Sequence, residues 1–413
     1  MTVPACRFCR VPLTQTFLDL GDQPLANSYL TKAQLDAGTE GFYPLHTRVC
    51  GTCFLVQADD PVAADAIFDD GYAYFSAYSE SWVAHAKRYA DAMAGRFGLG
   101  SESLVIEVAS NDGYLLQHFK AMGVPVLGIE PTANTAEVAI KERGIPTEVT
   151  FFNDATGRDL AARGIAADLM AGNNVLAHVP DIGDFVAGFQ HVLKREGVLT
   201  FEFPHLLNLI EKVQFDTIYH EHYSYLSLLA VEKVLLANGL RPFDVELLPT
   251  HGGSLRLFCA HQASIHQETQ ALKTLRAREQ AADLDKLSGY EGFTARVEEV
   301  RHGFLTFLAK AKADGKTVAA YGAAAKGNTF LNYAGVTPDD IVAVFDANPH
   351  KQDRFLPGTH IPTYAPARIG DFKPDYLIIL PWNLKDEIMG QLAHIAEWGG
   401  QFVTAAPDTK VVG

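Results

Sequence analysis

Apolar and polar positions along this chain fall into blocks that read as alternating strands and helices from residue 104 onward. Residues 104–108 are apolar apart from Glu107, the pattern of a strand buried on both faces. A tight polar turn follows, and residues 114–119 open an amphipathic helix. A second strand, 126–130, ends on Glu130. Further strands are expected around 169–171 and 197–202, with an amphipathic stretch, 182–194, between them. Residues 245–248 and 254–259, joined by a turn containing Gly252 and Gly253, read as a β-hairpin. These elements predict a mostly parallel sheet finished by an antiparallel hairpin. Residues 263–314 are charged, free of proline and read as helices bridging two domains. The strand–turn–helix pattern then restarts at 317–322, and strands at 341–346, 376–380 and 401–406 complete a small parallel sheet.

One stretch breaks the pattern. Residues 215–225 hold three tyrosines, two histidines and two carboxylates. A core strand does not tolerate that polarity, and a solvated loop has little use for so many rings. The mixture suits a cleft where ionisable groups sit beside apolar walls and their pKa values shift toward catalytic use. Alone, it leaves open whether His220 and His222 hold a metal or move protons.

A chain of 413 residues exceeds one ordinary core, so two or three domains are expected. No apolar segment is long enough to cross a bilayer, and the first residues lack a secretory signal, so a cytoplasmic protein is expected. The net charge of −15 argues against a nucleic-acid or anionic-membrane partner, because counterion release needs clustered Lys and Arg.

Four of the five cysteines form two C-x2-C pairs, Cys6 with Cys9 and Cys50 with Cys53. Four thiolates converging on one tetrahedral ion suit zinc and leave no open position, so the metal is expected to be structural. A redox reading would explain one pair, and here there are two. Cys259 stands apart in an alternating strand pattern and reads as a buried small hydrophobe. The expected domains are a zinc lobe at 1–65, a nucleotide-type α/β domain at 66–262, and a second Rossmann-like domain with its helical linker at 263–413.

Strand, turn, helix, strand and terminal acid is the order of a Rossmann-like ligand site. The first turn, Ser110 to Gly113, lacks the three-glycine fingerprint, and Glu107, Asn111 and Asp112 would oppose a phosphate. With Glu130 for ribose hydroxyls and Asn173 at a later strand end, the set suits S-adenosylmethionine, which carries sulfonium and ammonium groups. His178 either faces the cleft or hydrogen-bonds within the following helix. The second turn, with Gly322, Lys326 and Asn328, favours an anion instead.

Taken together, the chain resembles the sugar C-methyltransferases that act on nucleotide-linked deoxysugars. The likeness rests on the two cysteine knuckles, Ser110 to Gly113, Asn174 to His178, Tyr219 to His222, His251 to Ser254 and Gly322 to Asn328. Ala109 departs from the expected glycine. The resemblance implies a class I methyltransferase domain between a zinc lobe and a Rossmann-like domain that holds the substrate's nucleotide, dTDP. It implies methylation next to the carbonyl of a 4-keto-6-deoxy sugar, at C3, by a monomer. His222 is then the base, with Tyr219, Glu221, His178 and either Tyr74 or Tyr78 lining the sugar site, and with His251 and Lys326 on the substrate. Two classes compete: an NAD-dependent nucleotide-sugar oxidoreductase using the second turn, and a non-catalytic zinc-bearing scaffold. The incomplete fingerprint counts against the first, and the net charge and polar cleft against the second.

Overall fold

The computed structural model describes residues 3–59 and 75–412, the side chain of Tyr78 excepted. The expected boundary at residue 65 and Tyr74 lie outside those residues.

The two cysteine knuckles are built alike. The Arg10 N–H bonds the Cys6 carbonyl and the Phe54 N–H bonds the Cys50 carbonyl, both at 3.0 Å. Between the knuckles run Gln15–Pro24 and Phe42–Val49, an antiparallel pair to which Val56–Ala58 adds. The fourth strand of this sheet comes from far along the chain, because Ser224–Tyr225 pairs with Gln57 and Val56. The polar stretch 215–225 therefore ends as an edge of the N-terminal sheet.

The middle domain carries the expected sheet. Val105–Val108 lies inside it, buried throughout, between Val126–Ile129 and Ala167–Asn173 in parallel. Leu193–Pro204 continues the parallel set, and the antiparallel hairpin Leu240–Leu248 with Ser254–His261 closes it. Thr147–Glu148 adds in parallel beside Val126–Ile129, and, counted in chain order within the domain, the seven strands lie across the sheet as 3-2-1-4-5-7-6. Cys259 is fully buried in the last strand. Helix Glu80–Phe97, capped by Ser79 accepting the Trp82 N–H, packs Ala86, Tyr89, Ala90 and Met93 toward the sheet.

The C-terminal sheet differs from the expected wholly parallel one. Five parallel strands, Pro362–Tyr364, Val344–Phe345, Val318–Tyr321, Tyr376–Ile379 and Gln401–Thr404, carry antiparallel strands on both edges. Those edges, Arg354–Phe355 and Lys410–Val412, are too short for periodicity to reveal.

The linker does more than bridge. Phe293 in helix Phe293–Ala313 stacks on Phe17 of the N-terminal sheet, with ring centroids 4.7 Å apart. Glu279, buried in helix Gln270–Ala281, accepts from His205 at 2.7 Å and from the Leu228 and Leu229 N–H groups. That carboxylate caps helix Leu228–Ala237 at its positive end and ties the linker to the middle domain. One apolar core thus runs through the N-terminal sheet, residues 206–229, the linker and the C-terminal domain.

Candidate active site

The first turn is strained where a glycine was expected. Ala109 has φ 57° and Asn111 φ 50°, in the left-handed region. For alanine that conformation costs roughly 1–2 kcal/mol, partly offset by glycine's larger unfolded-state entropy. Ala109→Gly should therefore stabilise the protein by about 0.5–1 kcal/mol, read from urea denaturation midpoints. A midpoint that falls would show that the alanine methyl makes a contact worth more than the strain.

Around this turn the acids divide their labour. Glu130 accepts the Asn111 N–H through Oε2 and the Thr132 N–H through Oε1, both at 2.9 Å, which locks the turn to the next strand end. Asn111 Oδ1 accepts the Ser76 N–H at 2.9 Å, and Asp112 Oδ2 accepts the Ala77 N–H at 3.1 Å. Both side chains expected at the cofactor thus also hold the segment just after Tyr74. Gly113 has no room for a side chain, since a Cβ would lie 3.1 Å from Ile145. Glu107 Oε2, Ser110 Oγ, Asp112 Oδ1 and Asn173 Oδ1 are buried without a partner among the described residues. Burial pushes the Glu107 carboxyl well up, and Asp112 rises for the same reason against the pull of Arg143. Oxygen acceptors on turns without a phosphate cradle fit a ligand carrying ammonium and hydroxyl groups, so these residues fit S-adenosylmethionine.

The loop after Phe215–Thr217 is irregular, and its neighbours face apart. His220 Nε2 reaches the Tyr43 and Pro44 carbonyls of the N-terminal sheet at 3.3 Å each. Glu221 accepts from Asn27 at 2.5 Å and is pushed up by burial, with Lys351 pulling the other way. His222 turns inward. Its Nδ1 lies 2.8 Å from the Thr217 carbonyl, which can only accept, so Nδ1 carries the proton and Nε2 is left as the base. The ring packs on Tyr219 at 4.0 Å and on His178 at 4.7 Å. Burial, then the His178, Lys326 and His251 charges, hold His222 well below the usual imidazole range. Burial brings His178 and His251 down to about 4. His178 is buried with its ring packed on His222.

The C-terminal turn splits the residues expected to bind an anion. Gly322, at φ 91°, is held to glycine by Pro381, whose ring would lie 2.4 Å from a Cβ. Asn328 is buried and donates to the Ala26 carbonyl at 2.6 Å, so it fastens the N-terminal lobe. Tyr29 and Lys351 both donate to the Ala323 carbonyl, at 2.5 and 2.6 Å. The turn is thus met by Tyr29 of the N-terminal lobe and by Lys351 of its own domain. Lys326 is turned the other way, its ammonium 4.9 Å from the centroid of the Trp382 ring. Trp382 donates to Asp216 at 2.6 Å and lies against Gly252, beside His251.

A second cluster is assembled from residues far apart in the chain. Glu202, fully buried, accepts from His85 at 2.9 Å, Arg256 at 3.0 Å and Thr250 at 3.0 Å. Burial alone would raise this carboxyl, but His85 and Arg256 hold it low. Trp82 stacks on His85 and meets His251 edge-on, so the network orients one wall of the cleft. The available hint was an acid inside the apolar run 198–203.

The four cysteine sulfurs lie within 4.8 Å of one another, with Cys6–Cys53 at 3.5 Å and Cys9–Cys50 at 3.4 Å. A tetrahedral Zn–S shell of about 2.3 Å bonds spaces sulfurs about 3.8 Å apart, so the set fits zinc. The Gln57 amide donates to Cys6 and the Thr52 N–H to Cys50, which favours thiolates.

A seven-stranded sheet in this order, with an acid-lined first turn, defines a class I S-adenosylmethionine-dependent methyltransferase. Family models match along the chain: a zinc binding domain at residues 6–68, a methyltransferase domain at 67–245, and a C-methyltransferase C-terminal domain at 249–407. The C-methyltransferase NovU of Streptomyces niveus is 34% identical over 410 residues, covering 99% of this chain and 97% of that protein. The chain belongs to this C-methyltransferase family, and it is an enzyme that uses S-adenosylmethionine and carries zinc. Similar solved structures include the magnesium protoporphyrin IX methyltransferase of Synechocystis, 16% identical, covering 48% of this chain and 89% of that one, at a TM-score of 0.33. The 1,6-didemethyltoxoflavin-N1-methyltransferase of Burkholderia thailandensis is 18% identical, covering 50% and 95%, at a TM-score of 0.36. Among the described residues, no helix is long and apolar enough to cross a membrane.

Proposed function

We propose that this enzyme methylates the carbon next to the ketone, C3, of a dTDP-linked 4-keto-6-deoxy sugar. The observation that carries the proposal is the His222 tautomer, a buried imidazole with Nε2 free, between a methyltransferase turn and a second Rossmann-like domain. Methyl transfer to carbon needs a carbon nucleophile, and a proton alpha to a ketone is the accessible source of one. His222 Nε2 takes that proton, and the enolate carbon becomes the nucleophile. S-adenosylmethionine supplies the electrophilic methyl group. His178 and Tyr219 pack the base into one orientation, and Glu221 and His220 fix its loop to the N-terminal lobe. Tyr74 or Tyr78 is assigned to the sugar as a further contact, and His251 to the wall opposite. The enzyme acts as a cytoplasmic monomer.

The test is a panel of nucleotide 4-keto sugars incubated with enzyme and S-adenosylmethionine. A product heavier by one CH2 unit is expected, with NMR placing the new methyl on C3. No mass gain across the panel would overturn the sugar assignment, and a methyl on C5 would move the position.

A further inference from the structure

Lys326 is an unusual cation. It is the second residue of helix Ala325–Ala334, at the carboxyl end of the first strand of the C-terminal sheet. Its ammonium is sealed from solvent with no hydrogen-bond partner, and among the described residues no carboxylate lies within ion-pair distance. The Trp382 ring beneath it is fixed by the bond to Asp216 and by contact with Gly252. Asp216 keeps its second oxygen, Oδ1, buried and unpartnered in the same pocket. The lysine's charge is felt at His222, His251 and Asp216, groups of the other domain.

A free buried ammonium needs a ligand, and two anionic oxygens of the substrate are candidates. A diphosphate brings two or more charges, yet this pocket already holds the Asp216 carboxyl. Nearby, Arg256 is paired with Glu202 and Glu246, Lys212 donates to the Gly252 carbonyl, and Lys351 donates to the Ala323 carbonyl. One ammonium beside one carboxyl suits a group that is neutral when bound and carries a single charge in the transition state. A ketone turning into an enolate is such a group.

We propose that Lys326 is a catalytic residue whose ammonium hydrogen-bonds the substrate's ketone oxygen and holds the enolate charge. This inference rests on the ketone substrate proposed above. In the step, the α C–H bond breaks and its proton goes to His222 Nε2. The C–H electron pair becomes the carbon–carbon double bond, and the carbonyl π pair moves to the oxygen facing Lys326. Base and electrophile thus come from different domains, and only the closed interface brings them together. A donor aimed at developing charge contributes most when it is preorganised in a dry site.

The test uses the full-length zinc-loaded enzyme, S-adenosylhomocysteine and dTDP-4-keto-6-deoxyglucose in deuterated water. NMR follows α-proton exchange, and calorimetry measures dTDP binding. Lys326→Met should slow exchange about 10²–10³-fold, the usual cost of an oxyanion donor. Its affinity for dTDP should stay within about threefold of wild type. Exchange at the wild-type rate, or dTDP affinity falling in step with exchange, would overturn the assignment, the latter in favour of a diphosphate ligand. Lys326→Gln carries the same test if the methionine variant no longer binds S-adenosylhomocysteine. Wild type and His222→Asn run alongside. If wild-type exchange depends on His222 but not on Lys326, the lysine assignment alone falls. If wild type exchanges no 4-keto nucleotide sugar, the substrate proposal falls and takes this one with it.

Discussion

His222→Asn should cost at least about 10²–10⁴-fold in methyl transfer, the range for a lost general base, while S-adenosylhomocysteine still binds. Asparagine keeps a donor for the Thr217 carbonyl, so the loop has no reason to move. What disappears is Nε2, the only basic atom the tautomer leaves exposed to substrate. Proton exchange and methyl transfer should fall together, since the first feeds the second. Near-normal turnover in this variant would remove His222 from the mechanism. The pH profile carries a second reading of the same group. Burial and the surrounding His178, Lys326 and His251 disfavour the imidazolium, so His222 stays neutral well below the ordinary histidine value near 6.5. The base is therefore in its active form throughout the neutral range, and the acid limb of kcat/KM should lie below about 6.5. A limb at or above that value would mean another group titrates.

Stripping the metal should be the more damaging change for the fold. Structural zinc contributes about 10–16 kcal/mol of apparent binding energy, comparable with the whole stability of a domain. The lobe's thin sheet and knuckles share apolar cores with the rest of the chain. Loss would not stay local. Val56–Ala58 pairs with Ser224–Tyr225, His220 bonds Tyr43 and Pro44, and Glu221 bonds Asn27. All three ties belong to the segment that carries His222. Cys50→Ser or prolonged chelation should therefore abolish turnover and lower the thermal midpoint, while the middle domain keeps binding S-adenosylhomocysteine. Metal analysis, calorimetric melting and ligand titration on the same sample measure all three. A zinc-free protein with unchanged melting and turnover would sink the structural role.

Much of this molecule was legible from residue order, for physical reasons. Strands such as Val105–Val108 and Tyr376–Ile379 are buried on both faces, so they appear as unbroken apolar runs. The cysteine knuckles declare themselves because their ligands are local pairs. His222 stood out because two histidines and three tyrosines rarely share a short loop. What escaped was long-range. Glu202, His85 and Arg256 meet across 54 to 171 positions, and no local pattern brings the three together. Lys326 was assigned to its own turn because its neighbours resemble an anion site. Only the packing of Trp382 on Gly252 shows that it faces another domain. Asn328 and Gly322 looked alike in the motif, yet one fastens a lobe and the other clears space for Pro381.

The late-arriving strand Ser224–Tyr225 also bears on how the chain emerges during synthesis. Until residue 225 has left the ribosome, Val56 and Gln57 present an open β edge of a kind that invites pairing with another chain. About 170 residues separate the two partners, so zinc can close the knuckles long before the sheet is finished. The nascent lobe is then metal-loaded but sticky, and the segment that cures the stickiness is the one that will later carry the base.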